Sequence, residues 1–348
     1  MKKTILALTI PALFATSASA VTVYSDEGAQ VDLYGRIQIE GSSQDYQEVN
    51  GDATSEAENF GGQGEARLGA NVKYQLNNDV DLIGKLEWQV AAEKSDDSKF
   101  DSRYAWAGFR FMDTTDLTFG RVNSPYAQAL DYTDILNVFG GQAAFGEELG
   151  TTDKLDDMVR LSYAANGVDL RAGYAFNDND KLDANADDYD ADGEENRWNA
   201  SAGYTAPFGL GVVAAYEQIS FLDGLDQDNW IVGLNYSLDG FYFAAIYTER
   251  EKDVLGGGKN EAEGYELHAE YNVDAWKVLA QYSKEEYDAV GADKYDSLDN
   301  ITLGVQYKLT SKAKLYAEYV ISDSEMLNGA GDVVTKDDLY GVGIQYNF

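Results

Sequence analysis

From Gln30 onward the chain alternates apolar and polar residues in runs of roughly ten, each closed by a polar break. Val31, Leu33, Gly35, Ile37 and Ile39 share one face of the first run; Asp32, Tyr34, Arg36, Gln38 and Glu40 share the other. Next, Ala66, Leu68, Ala70, Val72, Tyr74 and Leu76 oppose Arg67, Asn71, Lys73 and Gln75, and then Val80, Leu82, Leu86, Trp88 and Val90 oppose Asp81, Lys85, Glu87 and Gln89. A period of two sends successive side chains to opposite faces of a strand. The pattern returns over 101–112, 115–124, 157–166, 168–177, 196–206, 210–221, 229–238, 241–251, 264–273, 276–285, 298–309, 313–323 and 338–348. That makes about sixteen strands, each a weak signal alone and a strong one by repetition.

The breaks alternate in length. Asn77-Asn78, Ala206 to Gly209, Asp239-Gly240, Asp274-Ala275 and Thr310-Ser311 are tight, whereas 42–63, 123–156, 178–195, 252–263, 286–297 and 324–337 are long and polar. No run beyond the first twenty residues approaches the ~18 apolar residues of a spanning helix. A closed barrel is the other structure that satisfies every backbone group in lipid. A soluble sandwich would need a second apolar layer, and one apolar face runs throughout. The sequence therefore predicts an all-β protein, a transmembrane antiparallel barrel with both termini at the short-turn, periplasmic end. Trp88, Trp106, Trp198, Trp230 and Trp276 fall in these strands and are expected, with the tyrosines at strand ends, to form interfacial girdles. The chain ends Tyr340, Val342, Ile344, Tyr346 and Phe348 on one face, which resembles the terminal signature of bacterial outer-membrane barrels.

Ahead of the repeat, Lys2 and Lys3 precede a mostly apolar stretch and the small residues Ala18-Ser19-Ala20. This reads as a signal peptide over 1–20, leaving 21–348 as a single barrel domain. With 61 acidic against 26 basic residues the formal net charge is −35, which argues against nucleic acid as a partner. There are no cysteines and one histidine, His268, which removes disulfides, thiolate chemistry and zinc sites of the Cys/His type. His268 falls on the polar face between Glu266 and Glu270 and reads as lumen lining. No serine marked by a motif accompanies it, and an enzyme is not expected. Asp188, Asp190, Asp192 and Gly193 open like a calcium loop, but Asn199 stands where the closing glutamate belongs, so a solvated acidic loop is the reading and no metal or cofactor is expected. Gly256-Gly257-Gly258-Lys259 lacks the hydroxyl and spacing of a phosphate loop.

The loop after the fifth strand differs from the others. Tyr132-Thr133-Asp134-Ile135-Leu136-Asn137-Val138-Phe139-Gly140-Gly141 is apolar enough to pack, with Phe139 as an anchor and Gly140-Gly141 as a tight turn. This segment resembles the constriction loop of the trimeric general porins of Gram-negative bacteria, the OmpC-like family. "VDLYGR" at 31–36, "ARLG" at 66–69 and "SRYAWAGF" at 102–109 resemble strands of the same family. The resemblance spans nearly the whole chain after 20. It implies a third loop folded into the barrel, facing a basic wall to which Arg36, Arg67 and Arg103 match. Lys154 or Arg160 is a fourth position, and Lys85 points inward by period. Asp134 matches a loop acid, whereas Val138 and Gln142 stand where relatives have carboxylates; Glu147 and Glu148 are candidates to replace that charge. The resemblance further implies a homotrimer in outer-membrane lipid and lipopolysaccharide, passing ions and small hydrophilic solutes by passive diffusion. The acidic excess adds an expected preference for cations. A substrate-selective channel and a surface adhesin barrel are the alternatives, and conductance separates the second of these.

Overall fold

The computed structural model describes residues 20–43, 47–49, 52–54, 60–91, 100–176, 193–222, 224–327 and 333–348. The expected signal peptide, residue 20 apart, and the acidic Asp188 to Asp192 run lie outside these residues. The strands in chain order are β1 (Val21–Asp26), β2 (Ala29–Ser43), β3 (Gln47–Val49), β4 (Asp52–Thr54), β5 (Phe60–Gln75), β6 (Val80–Ala91), β7 (Phe100–Phe111), β8 (Thr115–Asn123), β9 (Lys154–Ala165) and β10 (Val168–Phe176). They continue as β11 (Glu194–Thr205), β12 (Leu210–Phe221), β13 (Asp226–Leu238), β14 (Phe241–Asp253), β15 (Lys259–Val273), β16 (Trp276–Asp288), β17 (Tyr295–Lys308), β18 (Ala313–Ser322), β19 (Glu325–Leu327), β20 (Val333–Thr335) and β21 (Leu339–Asn347). Two short helices, α1 (Ala127–Leu130) and α2 (Gln142–Phe145), lie between β8 and β9.

Sixteen of the strands close an antiparallel barrel. The seam is at β2, whose whole length pairs with β5, from Ala29 opposite Tyr74 to Ser43 opposite Phe60. Its other edge pairs with β21 from Arg36 opposite Asn347 to Ser42 opposite Gly341. The last strand does not reach the lower end of β2, and β1 fills that gap, running from Val21 opposite Leu33 to Asp26 opposite Ala29. Alternation had not marked β1 as a strand. At the join, Gly35 and Phe348 exchange backbone hydrogen bonds of 3.0 Å each way. A Cβ on Gly35 would stand 2.2 Å from the Phe348 ring, so the terminal ring packs where only glycine leaves room.

The outward face carries the apolar half of each run, with Leu33, Ile37, Leu68, Val72, Leu86, Leu234, Leu267, Leu303 and Val342 all exposed. Aromatic rings edge this belt. Near the long-loop end Trp198 meets Tyr216 with centroids 5.0 Å apart, Trp230 meets Tyr247 at 5.2 Å, and Tyr265 meets Tyr282 at 5.7 Å. Near the short-turn end Phe241 stacks on Tyr271 at 4.3 Å and Trp276 lies 4.6 Å from Tyr307. Trp106 corrects the sequence expectation. It pairs with the inward Lys85 and is buried inside the wall with Ile83, Val122, Leu155 and Met158. The cause is a bulge: Glu87 opposes Tyr104 but Trp88 opposes Ser102, so Arg103 is an extra residue and the phase of β7 changes there.

The tight turns use residues that tolerate positive φ. Asn166 (52°) with Gly167 (84°), and Asp239 (47°) with Gly240 (90°), have both central residues left-handed, as two-residue hairpins require. At the long-loop end several strands run further than alternation suggested. β15 begins at Lys259 rather than near 264, and β5 at Phe60 rather than near 66. Above the membrane both faces meet water, so the apolar half of the pattern disappears while the ladder continues.

Candidate pore constriction

The segment from Ser124 to Asp153 turns back into the barrel, its stem closed by the Ser124 N–H donating to the Asp153 carbonyl at 2.8 Å. Its first half rests on an apolar footing unusual for a wet lumen. Tyr126, Ala127, Ala129 and Leu130 are buried together with Ala144 against Val213, Ala215, Ile231 and Ile246 of β12, β13 and β14. The Tyr126 hydroxyl meets Thr248 Oγ1 at 3.0 Å, and the Tyr242 hydroxyl donates to the Tyr132 carbonyl at 2.9 Å.

The rest of the loop is held by carboxylates reaching in from the wall. Glu318 of β18 accepts from the backbone N–H groups of Asn137 (2.6 Å), Val138 (2.9 Å) and Phe139 (3.1 Å), and from the Asn137 side chain at 2.9 Å. Glu266 of β15 accepts from the Ala144 N–H at 3.0 Å. Glu285 of β16 accepts from Glu147 N–H at 3.2 Å and Glu148 N–H at 2.8 Å, and from the buried Arg250. These anchors satisfy loop donors that would otherwise be stranded away from water. Phe139, the expected anchor, is only half-buried at the tip. Nothing in the local sequence marks Glu266, Glu285 or Glu318, because their partners lie more than a hundred residues away.

The basic wall stands on β2, β5, β6, β7 and β9. Glu65 takes Arg67 at 3.2 Å and Arg36 at 3.5 Å, and Gln89 accepts from Arg67 Nε at 2.7 Å and Arg103 at 3.1 Å. Glu87 accepts from Arg103 Nε at 2.9 Å and from the Tyr34 hydroxyl at 2.7 Å, with Lys85 3.8 Å away. The Tyr34 ring fits because it lies over Gly69, where a Cβ would sit 2.2 Å from it. Lys85 caps the Tyr104 ring at 3.9 Å and Lys154 approaches it at 5.4 Å while pairing with Asp153. Arg36, Arg67, Lys85, Arg103 and Lys154 thus form one cluster. Arg160 does not join it. Its guanidinium donates to the Asn123 carbonyl at 3.0 Å and sits with Arg171, Asp116 and Asp169, a separate group. Of the two candidates, Lys154 stands with the cluster and Arg160 does not. Sequence reasoning missed Lys314, which reaches the Asn137 side chain at the loop tip and feels the charge of Arg36.

Across the opening, Asp134 is exposed to the lumen and feels the charges of Asp153, Lys154 and Arg103. Partial desolvation between loop and wall raises its pKa from the usual carboxylate value, Asp153 adds to the rise, and the two cations oppose it. Burial pushes Asp131, one turn earlier, up to about 6, against Arg171 and aided by Asp134 and Asp153. Its carboxyl opens onto lumen water, which tempers that rise. Neither acid makes an ion pair among the described residues. Glu147 and Glu148 correct the sequence expectation: they do not face the basic wall. Glu147 pairs with Lys336 of the last long loop and Glu148 accepts from the hydroxyl of Tyr295 at the start of β17 at 2.8 Å, so one fastens two loops together and the other ties the loop to the wall. Gly141 takes a left-handed φ of 76°, and Gly140 has Asp134 against it, as a tight tip requires. Tyr346 and Phe348 stack at 6.2 Å on the outer wall beside the seam. His268 faces the interior, its Nδ1 2.9 Å from Gln281 and its Nε2 3.8 Å from Glu270.

A barrel apolar outside and polar inside, narrowed by a loop with charged walls on both sides, defines a transmembrane channel protein. A family profile described as Gram-negative porin matches residues 7–327, and the chain belongs to that family. Outer membrane porin F of Escherichia coli O6:K15:H31 is 27% identical over the full length of both chains, and porin PhoE of Klebsiella oxytoca is 26% identical, again over both full lengths. Among solved structures, Salmonella typhi OmpF in complex with daunomycin superposes with a TM-score of 0.77 at 20% identity, covering 94% of this chain and 100% of that one. The trimer form of Vibrio cholerae OmpT gives 0.70 at 21%, and an anion-selective porin of Comamonas acidovorans 0.69 at 18%, each covering 92% of this chain and 100% of the other. The chain is therefore a multi-pass outer-membrane porin, a route for passive diffusion and not an enzyme.

Proposed function

We propose that the protein is a cation-preferring general porin that works as a homotrimer, with its short turns and both termini in the periplasm and its long loops facing lipopolysaccharide. The observation that carries the preference is the unequal pairing of charge at the constriction. On the basic wall each cation has a carboxylate beside it: Glu65 is shared by Arg36 and Arg67, Glu87 by Lys85 and Arg103, and Asp153 pairs with Lys154. On the loop side Asp131 and Asp134 have no ion-pair partner among the described residues; on the wall, neither does Glu40 of β2, which accepts from Gln38 at 2.8 Å and Tyr316 at 2.9 Å. In a narrow opening with low-dielectric walls such unpaired carboxylates attract cations and hold a field across the pore. That field orders water and disfavours apolar solutes, so the constriction selects small hydrophilic ones. Arg36, Arg67, Lys85, Arg103 and Lys154 then serve as the positive wall and Asp131 and Asp134 as the negative one. The trimer is supported by the resemblance to the general porins and by the trimeric form solved for the Vibrio relative. A signal peptide over 1–20 fits delivery to this membrane.

Insertion into planar lipid bilayers tests the reading. Conductance rising in sets of three equal steps is the expected result. A folded barrel that carries no current would overturn it.

A further inference from the structure

We infer a phosphate-binding pocket at the short-turn mouth of the barrel, between the turns that follow β15 and β17. A cleft of about 350 Å³ opens there beside Trp276. It is lined by Lys277, Lys308, Lys312 and Lys314, with Asp274 as its one carboxylate. Lys277 is neutralised by Glu270 at 2.7 Å. Lys314 reaches only the Asn137 amide oxygen and the Tyr316 ring at 5.7 Å. Lys308 and Lys312 form no ion pair among the described residues, whereas Lys73, Lys85, Lys154, Lys259, Lys284, Lys294 and Lys336 each hold a carboxylate.

Composition makes this grouping informative. The chain has 61 acids for 26 bases, and the neighbouring turns of the same end carry Asp79, Asp113 and Asp239. Carboxylates are therefore plentiful, yet three ammonium groups share one cleft with a single acid. Left empty, the cleft keeps Lys314 under the repulsion of Lys277 and Arg36. An anion that accepts from several of the ammonium groups at once removes the repulsion. Lysine binds phosphate as a point charge with rotatable donors, and a phosphate group, singly charged as a diester or up to doubly charged when free, fits both the charge and the volume. Lys314 links the pocket to the loop tip, because the same ammonium holds Asn137, whose backbone is gripped by Glu318. The phosphate is either free in the periplasm or carried on the headgroup of an inner-leaflet lipid, for which the adjacent Trp276 marks the membrane edge.

Inorganic phosphate titrated into the purified, folded protein and followed by phosphorus NMR tests the pocket. Saturable binding is expected in the wild type, weakened about tenfold or more in Lys308→Ala/Lys312→Ala and retained in Lys308→Arg/Lys312→Arg, which also controls for folding. Displacement of phosphate by phosphatidylglycerol, and not by phosphatidylcholine, in mixed micelles assigns the site to a lipid headgroup; failure to displace assigns it to free phosphate, and both support the pocket. An equal phosphate response in the wild type and the alanine pair, or no saturable response in either, overturns it. Conductance of the same wild-type preparation reports separately on the channel reading.

Discussion

Glu318 shows how much one side chain does in this barrel. Its carboxylate accepts from three consecutive backbone N–H groups and one side-chain amide at the tip of the constriction loop. Hydrogen bonds to a charged acceptor contribute about 1.5–3 kcal/mol each, more than neutral ones. Glu318→Ala is therefore expected to leave the barrel folded and free the tip: amide exchange at 137–139 should accelerate at least about tenfold, with more frequent current fluctuations in single channels. Unchanged exchange at those amides would show that the carboxylate is not the anchor. Asp131 and Asp134 give the pH dependence. Both carboxyls are raised by partial desolvation, Asp131 to about 6, so they take up protons as pH falls from neutral, before an ordinary carboxyl would. The sign follows: each protonation removes a negative charge from the pore, so cation preference should decline on acidification through pH 6. Because the folded state holds these protons more tightly than the unfolded chain, their contribution to stability is full below the unfolded carboxyl pKa. It is lost as pH rises through the folded value. Reversal potentials measured between pH 7.5 and 5 check the first of these, and a preference that does not move would place the selecting charges elsewhere.

At the level of elements, the constriction loop behaves as a small apolar unit clipped into a polar interior. Leu130 is 1% exposed and packs with Ile231 and Ile246. Leu130→Ala removes that contact at a cost of roughly 2–5 kcal/mol. The barrel ladder does not depend on it, so the cost should fall on the loop: the expected outcome is a larger, noisier conductance with unaltered barrel folding, checked by single-channel recording and gel mobility of the unheated protein. The elements also explain what was legible beforehand. Strands on which one face meets lipid and the other meets water announce themselves by a period of two, and Arg36 and Arg67 could be assigned to the lumen from that period alone. Where a bulge changes the phase, the period misleads. Trp106 was assigned to the outer face for this reason, and Arg103 stays inward only because it is the bulged residue itself. Lys154 and Arg160 could not be told apart, since β8 and β9 shift register between Gly120 and Val122 and Asp157 takes a φ of 47°. Counting along the loop likewise could not reveal that Glu147 and Glu148 turn toward Lys336 and Tyr295. Loop direction is set by contacts with the distant wall, and wall anchors such as Glu285 and Glu318 carry no local signature.

For the whole molecule, the central claim is that a water-filled barrel is narrowed by a loop whose unpaired acids face a basic wall whose cations already share carboxylates. Closure of the barrel through β2, β21 and β1 leaves the interior as the only polar path across the membrane. The strongly acidic composition is consistent with that claim without locating it, because most of the carboxylates lie away from the constriction. The decisive measurement is the reversal potential across a planar bilayer under a salt gradient, for the wild type and for Asp131→Asn/Asp134→Asn. The account predicts a cation-sign potential in the wild type that moves toward zero, or to the anion sign, in the double variant. An anion-sign potential in the wild type, or a cation-sign potential that the double variant leaves untouched, would contradict it.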